Sequence, residues 1–128
     1  MELSKPSLSS REITDSDLNE VEIEMVLEFE LYGDNHNSYT NESNDRFEKV
    51  VKALSSATRR RILRQIQNSN DGMDVSNIAS SLKMTEANIS AQIKKLQEAG
   101  LIFCEYCSGN HGVRKISKLK FSRIIINL

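Results

Sequence analysis

The stretch from Asp74 to Gly100 constrains this chain more than any other. Its apolar residues fall into two helical stripes, Val75, Ile78, Ala79 and Leu82, then Ile89, Ile93 and Leu96, with a short polar break after Lys83 and Met84. Asp74 or Ser76 can cap the first helix, Thr85 caps the second, and Gly100 supplies a left-handed stop. Upstream, Phe47, Val50, Val51 and Leu54 predict a helix over about 45–54, after Asn and Ser residues able to cap it. Ser56 caps the next, with Ile62, Leu63 and Ile66 inward and Arg59, Arg60, Arg61 and Arg64 on its other faces. NSNDGMD is a break. Downstream, LIFCEYC, a turn at SGNHG and VRKISKL predict a hairpin, and FSRIIINL a further extended segment. This order predicts an α+β fold, a winged helix-turn-helix of three to four helices plus a β-hairpin wing.

At 128 residues the chain has room for one compact domain, or a small domain with an appendage, and not for a large enzyme. With one Pro, five Gly and two Cys, it is neither collagen-like nor a disulfide scaffold, and the cysteines are expected as thiols. No apolar run approaches the roughly 20 residues of a bilayer span, and MELSKPSLSSREI has no apolar core of a secretory signal, so no membrane role and a cytoplasmic location are expected.

The formal charge of −1 conceals a division. Residues 1–45 carry two Lys and Arg against twelve carboxylates, a net −10, whereas residues 46–128 carry fifteen against six, a net +9. That imbalance points to a polyanion-binding part, and to an acidic part that shields it or addresses another partner. A merely solvated surface is the alternative.

Residues 1–17, rich in Ser and acids, are expected as a mobile end. In VEIEMVLEFEL, Val21, Ile23, Met25, Leu27, Phe29 and Leu31 alternate with glutamates except at Val26, the signature of a strand with one buried face and an acidic row on the other. Leu18, Val21, Met25, Phe29 and Tyr32 also fall at helical spacing, but a helix would put Ile23, Leu27 and Leu31 in a second stripe, so the strand is the preferred reading. GDNHNSYTNESND then reads as turn and loop. The expected division is an acidic extension over 1–43, with a strand over 20–32, and the winged helix-turn-helix over 44–128.

KALSSATRRRILRQI (Lys52 to Ile66) is similar to the opening helices of ArsR-type transcriptional regulators, whose pattern runs A-L-x-x-x-T-R-x-R-I-L. VSNIASSLKMTEANISAQIKKLQEAGLI (Val75 to Ile102) resembles their helix-turn-helix, ending in L-x-x-A-G-L-I as Leu96, Ala99, Gly100, Leu101 and Ile102. The likeness runs over roughly residues 45–120 and implies a DNA-binding regulator, often dimeric. The chain departs from the family where many members place a further helix. Here SRIIINL favours a strand, and it is expected to share one sheet with the acidic strand, within a subunit or across a dimer.

With Ile89, Ile93 and Leu96 facing a core, the recognition helix, about 85–99, is expected to present Asn88, Ala91, Gln92 and Lys95 to the major groove of double-stranded DNA. Asn and Gln pair bidentately with adenine, Ala touches a thymine methyl, and Lys takes a phosphate or guanine. Thr85 and the free N–H groups at the helix start suit a phosphate. The wing, about 102–119, would lay Arg114 and Lys115 along the adjacent backbone or minor groove. The three arginines Arg59 to Arg61 oppose the dipole at a helix start, so an external anion or an acidic neighbour is expected beside them.

Cys104 and Cys107, with His111 nearby, have soft-metal chemistry, but strand positions three apart point to opposite faces. The family's thiolate site implies cysteine within Val75 to Leu82, where there is none. No metal and no cofactor are expected. His36 and His111 lie in Gly- and Asn-rich turns, and no nucleophile or phosphate loop appears, so no enzyme activity is expected. The row Glu22, Glu24, Glu28 and Glu30 reads as the wet side of a strand, with divalent-cation binding as the alternative. The leading expectation is thus a homodimeric, sequence-specific DNA-binding regulator. The rival is a winged-helix protein–protein adaptor docking through its acidic N-terminal region, and a third reading has residues 1–43 mask the basic surface within the chain.

Overall fold

The computed structural model describes residues 7–15, 20–32, 41–109 and 112–128. The elements run β1 (Ser7–Asp15), β2 (Glu20–Glu30), α1 (Asn41–Leu54), α2 (Ala57–Asn68), β3 (Met73–Asp74), α3 (Val75–Leu82), α4 (Glu86–Glu98), β4 (Ile102–Gly109), β5 (Gly112–Leu119) and β6 (Arg123–Asn127). His36, His111 and the tip of the expected wing turn lie outside the described residues. The chain divides into two compact units, one of residues 1–48 with 121–128 and one of residues 49–120. The expected boundary after residue 43 thus lies a few residues early, and 121–128, assigned by sequence to the second domain, belong with the first.

In the first unit a three-stranded sheet has the order β1-β2-β6. β2 is the strand that its alternation predicts, and Leu27 and Phe29 are fully buried. Phe29 meets Phe47 edge to face, ring centroids 5.1 Å apart at 74°. Val26, the apolar exception in the acidic row, is buried as well. β6 is the expected Ile-rich strand, and it pairs with β2 in the same chain. The pairing is parallel, from Val26 opposite Arg123 to Glu30 opposite Asn127. It is anchored at its start by Ser122, whose N–H and hydroxyl both donate to the Met25 carbonyl at 2.8 and 3.1 Å.

The acidic row is more than a wet face. Asn127 donates its Nδ2 hydrogens to Glu28 at 2.6 Å and Glu30 at 2.7 Å, and Arg123 lies 3.4 Å from Glu24. These partners come from β6, which no local pattern in residues 20–30 could disclose. A second correction concerns the expected mobile end: Ser7–Asp15 forms β1, antiparallel to β2 from Ser7 opposite Glu28 to Asp15 opposite Glu20. Its Ser-rich sequence has no apolar alternation of its own, and the edge of β2 supplies the backbone partners instead. α1 also begins at Asn41, a turn before the expected 45, because the polar tract read as a cap is itself helical.

In the second unit, the expected stripes form one core from Val50, Ile62, Ile66, Ile78, Ala79, Leu82, Ile89, Ile93, Leu96, Leu101 and Ile102. The caps stand where the sequence places them. Ser56 accepts from the Arg59 N–H at 3.3 Å, Asp74 from Asn77 at 2.8 Å and Thr85 from Asn88 at 3.2 Å. The turn from α3 to α4 needs a left-handed residue, and Lys83 takes that role at φ 57. Gly100, at φ 75, lets the Leu101 N–H return to the Leu96 carbonyl and turns the chain directly into β4. β4 and β5 form the hairpin, and the two residues of β3 add a third strand beyond β5 that the sequence did not announce. Among the described residues no helix is long and apolar enough to cross a membrane.

Candidate nucleic-acid interface

The site is built on α4. With Ile89, Ile93 and Leu96 at 0–1% exposure, the other side of the helix faces out. Asn88, Ala91 and Lys95 are exposed as expected, and Thr85 is exposed while its hydroxyl oxygen caps the helix. Ala87, Ser90 and Lys94 share the exposed surface and were missed; stepping three or four residues from Ala91 reaches Ala87 and Lys94, so periodicity carried the signal for both. Gln92 is only half-buried, because it lies on the flank turned toward α2.

What holds Gln92 there is Arg59. The Arg59 guanidinium donates from Nη1 to Gln92 Oε1 at 2.8 Å, from Nε to the Ala53 carbonyl at 2.8 Å and from Nη2 to the Lys52 carbonyl at 3.0 Å. Arg60 donates to the Leu54 carbonyl at 2.7 Å. The partner expected for this arginine cluster was an external anion or a carboxylate. The structure gives Arg59 and Arg60 the carbonyl end of α1 instead, where unpaired acceptors and the negative pole of the helix dipole converge. The chain of bonds continues along α4, as Gln92 Nε2 donates to Asn88 Oδ1 at 3.1 Å.

Beside this network an open cavity of about 360 Å³ is lined by Lys49, Lys52, Arg59 and Lys95, with Glu98 as its one acid. Lys95 therefore stands at the junction of the exposed helix face and a basic hollow.

On the wing, Arg114 reaches back rather than outward. Its Nη2 and Nε donate to Asp74 Oδ2 at 2.6 and 3.1 Å, while Asp74 Oδ1 caps α3. Burial alone would raise the Asp74 carboxyl, but the Asn77 N–H and the Arg114 guanidinium outweigh it and hold the group below its ordinary range. Lys115 is half-buried and opposite Tyr106, which is 71% exposed. Tyr106 and the exposed Val113 are wing residues that charge-based reasoning passed over.

Cys104 pairs across the hairpin with Ser117, and Cys107 with Arg114, so the two thiols occupy alternate positions of the pleat on opposite faces. Cys104 Sγ lies 3.7 Å from both Gln97 Oε1 and Ser117 Oγ. Among the described residues no group of three metal-capable side chains converges.

Comparison with known proteins agrees with this architecture. A family model described as a helix-turn-helix domain matches residues 54–103. The solution NMR structure of a homodimeric winged helix-turn-helix DNA-binding domain from Mycobacterium bovis, described as a possible ArsR-family transcriptional regulator, superposes with a TM-score of 0.55 at 22% identity. It covers 70% of this chain and 75% of that one. No curated protein matches the chain. Residues 54–103 therefore match a helix-turn-helix domain, and the chain shares the winged helix-turn-helix fold.

Proposed function

We propose that the chain is a sequence-specific, double-stranded DNA-binding transcriptional regulator acting as a homodimer. α4 enters the major groove, and the β4–β5 wing lies on the adjacent backbone or minor groove. The observation that carries this reading is the burial of Ile89, Ile93 and Leu96, which leaves Asn88, Ala91, Lys94 and Lys95 exposed on the opposite side of a capped helix. The charge of residues 49–120 supports it, with thirteen Lys and Arg against five acids. The homodimeric state of the M. bovis domain supports the two-fold arrangement, which calls for half-sites about one helical turn, roughly 10 bp, apart. Thr85, at the helix start, faces a phosphate in this pose. Arg114 holds Asp74 through Nε and Nη2 and brings its remaining guanidinium hydrogens to the wing contact, beside the Lys115 ammonium.

The test is binding to duplexes selected from a random pool, measured against salt for the full chain, Lys94→Ala and Lys95→Ala. Affinity should fall steeply with salt, and each lysine lost to a phosphate contact should lower the slope by about 1. Salt-independent or absent duplex binding would favour the adaptor reading instead.

A further inference from the structure

The bonds joining Arg59, Gln92 and Asn88 have a direction that chemistry imposes. A guanidinium only donates, so the amide of Gln92 must turn its Oε1 to Arg59, at 2.8 Å, which leaves Nε2 on the other side. That Nε2 can bond Asn88, at 3.1 Å, only if Asn88 offers Oδ1, which in turn sends Asn88 Nδ2 outward beside Met84 Sδ at 4.0 Å. An isolated Asn or Gln is free to turn its amide over and match whatever base edge it meets. Here each carbonyl oxygen already accepts one bond and is held toward its partner within the protein, while Gln92 Nε2 and Asn88 Nδ2 each keep a second hydrogen to donate. Arg59 is itself fixed by the Lys52 and Ala53 carbonyls at the end of α1, so the sense of the relay is set before any ligand arrives.

We propose that Arg59 is a positioning residue for sequence reading, setting the Asn88–Gln92 pair as donors so that α4 selects guanine over adenine. The inference rests on the DNA-binding reading above and refines it. Guanine offers two adjacent acceptors in the major groove, N7 and O6, which suit a donor pair. Adenine offers N7 but places its N6 amine where an acceptor is needed, and the adenine pairing normally expected of Asn and Gln is thereby disfavoured. Arg59 touches no base in this scheme and acts only through Gln92.

The experiment uses the full chain and oligonucleotide selection, read as the guanine-to-adenine ratio at the position whose preference disappears in Asn88→Ala. The wild-type protein should favour guanine there by about fivefold or more, the discrimination of one good contact. Arg59→Met should bring the ratio within about twofold of unity at unchanged salt dependence, a change that loss of fold alone does not produce. Because Arg59→Met also strips the end of α1, Gln92→Glu provides a second arm that keeps Arg59 paired. Its carboxylate accepts from Arg59 and requires a donor from Asn88, so Asn88 turns over, presents Oδ1, and the preference should reverse toward adenine.

Adenine preferred by the wild type, a guanine preference retained in folded Gln92→Glu, or no position sensitive to Asn88→Ala would each overturn the proposal while leaving DNA binding intact. Failure of the wild-type chain to bind any duplex would overturn the functional reading and this inference with it.

Discussion

Asp74 shows how one side chain can serve two elements. Its Oδ1 caps α3 and its Oδ2 holds Arg114 of β5, so the first helix of the motif and the wing share a carboxylate. Replacing it with Ala should cost about 1 kcal/mol for the cap alone, and urea denaturation at pH 7 checks this. The pH dependence has a definite sign. The folded Asp74 is held below its ordinary value of 3.8, so its contribution is complete above that value and drains away as the pH falls through the lower folded one. Between pH 5 and pH 2 the wild-type midpoint should therefore drop toward that of Asp74→Asn; parallel curves would deny the linkage. At this scale the residues legible in sequence were the caps, because Ser56, Asp74 and Thr85 bond to backbone within three residues. The Arg59–Gln92 and Arg114–Asp74 pairings were not, because these partners stand 33 and 40 residues apart and belong to different elements.

At the level of elements, the wing depends on a glycine that precedes it. Gly72, at φ +86, brings β3 against β5 so closely that an added Cβ would lie 2.5 Å from the Ser117 carbonyl oxygen. Gly112 has φ +105, but a Cβ there would meet nothing within 4 Å. Gly72→Ala carries both the left-handed backbone penalty and a backbone collision, so it should cost well over about 1 kcal/mol, and Gly112→Ala closer to that figure. Thermal melting of the two variants checks the order, and equal losses would contradict the packing. The helices and the β4–β5 hairpin were legible because period and capping are written within each segment. β1 and β3 were not: a Ser-rich stretch and a two-residue strand owe their form to the backbone edges of β2 and β5. The sheet shared by the acidic strand and the Ile-rich segment was anticipated from two apolar faces lacking cover, but its parallel sense was not, since the long crossover between them permits either direction.

Over the whole molecule, charge follows the structural division. Residues 49–120 carry a net +8, while residues 1–48 with 121–128 carry a net −9, four Lys and Arg against thirteen acids. The acidic unit depends on β6, which supplies Asn127 to Glu28 and Glu30 and the parallel edge of β2. Removing residues 121–128 should accelerate amide hydrogen exchange from Val26 to Leu31 and leave α2, α3 and α4 protected; protection retained in β2 would show that β6 is dispensable. Glu30 and Asn127 are 97 residues apart, with the basic unit threaded between them. On a ribosome, therefore, the half of the sheet that emerges early must wait. Residues 49–120 are uninterrupted and can settle as they appear, so the acidic portion is translated first and completed last.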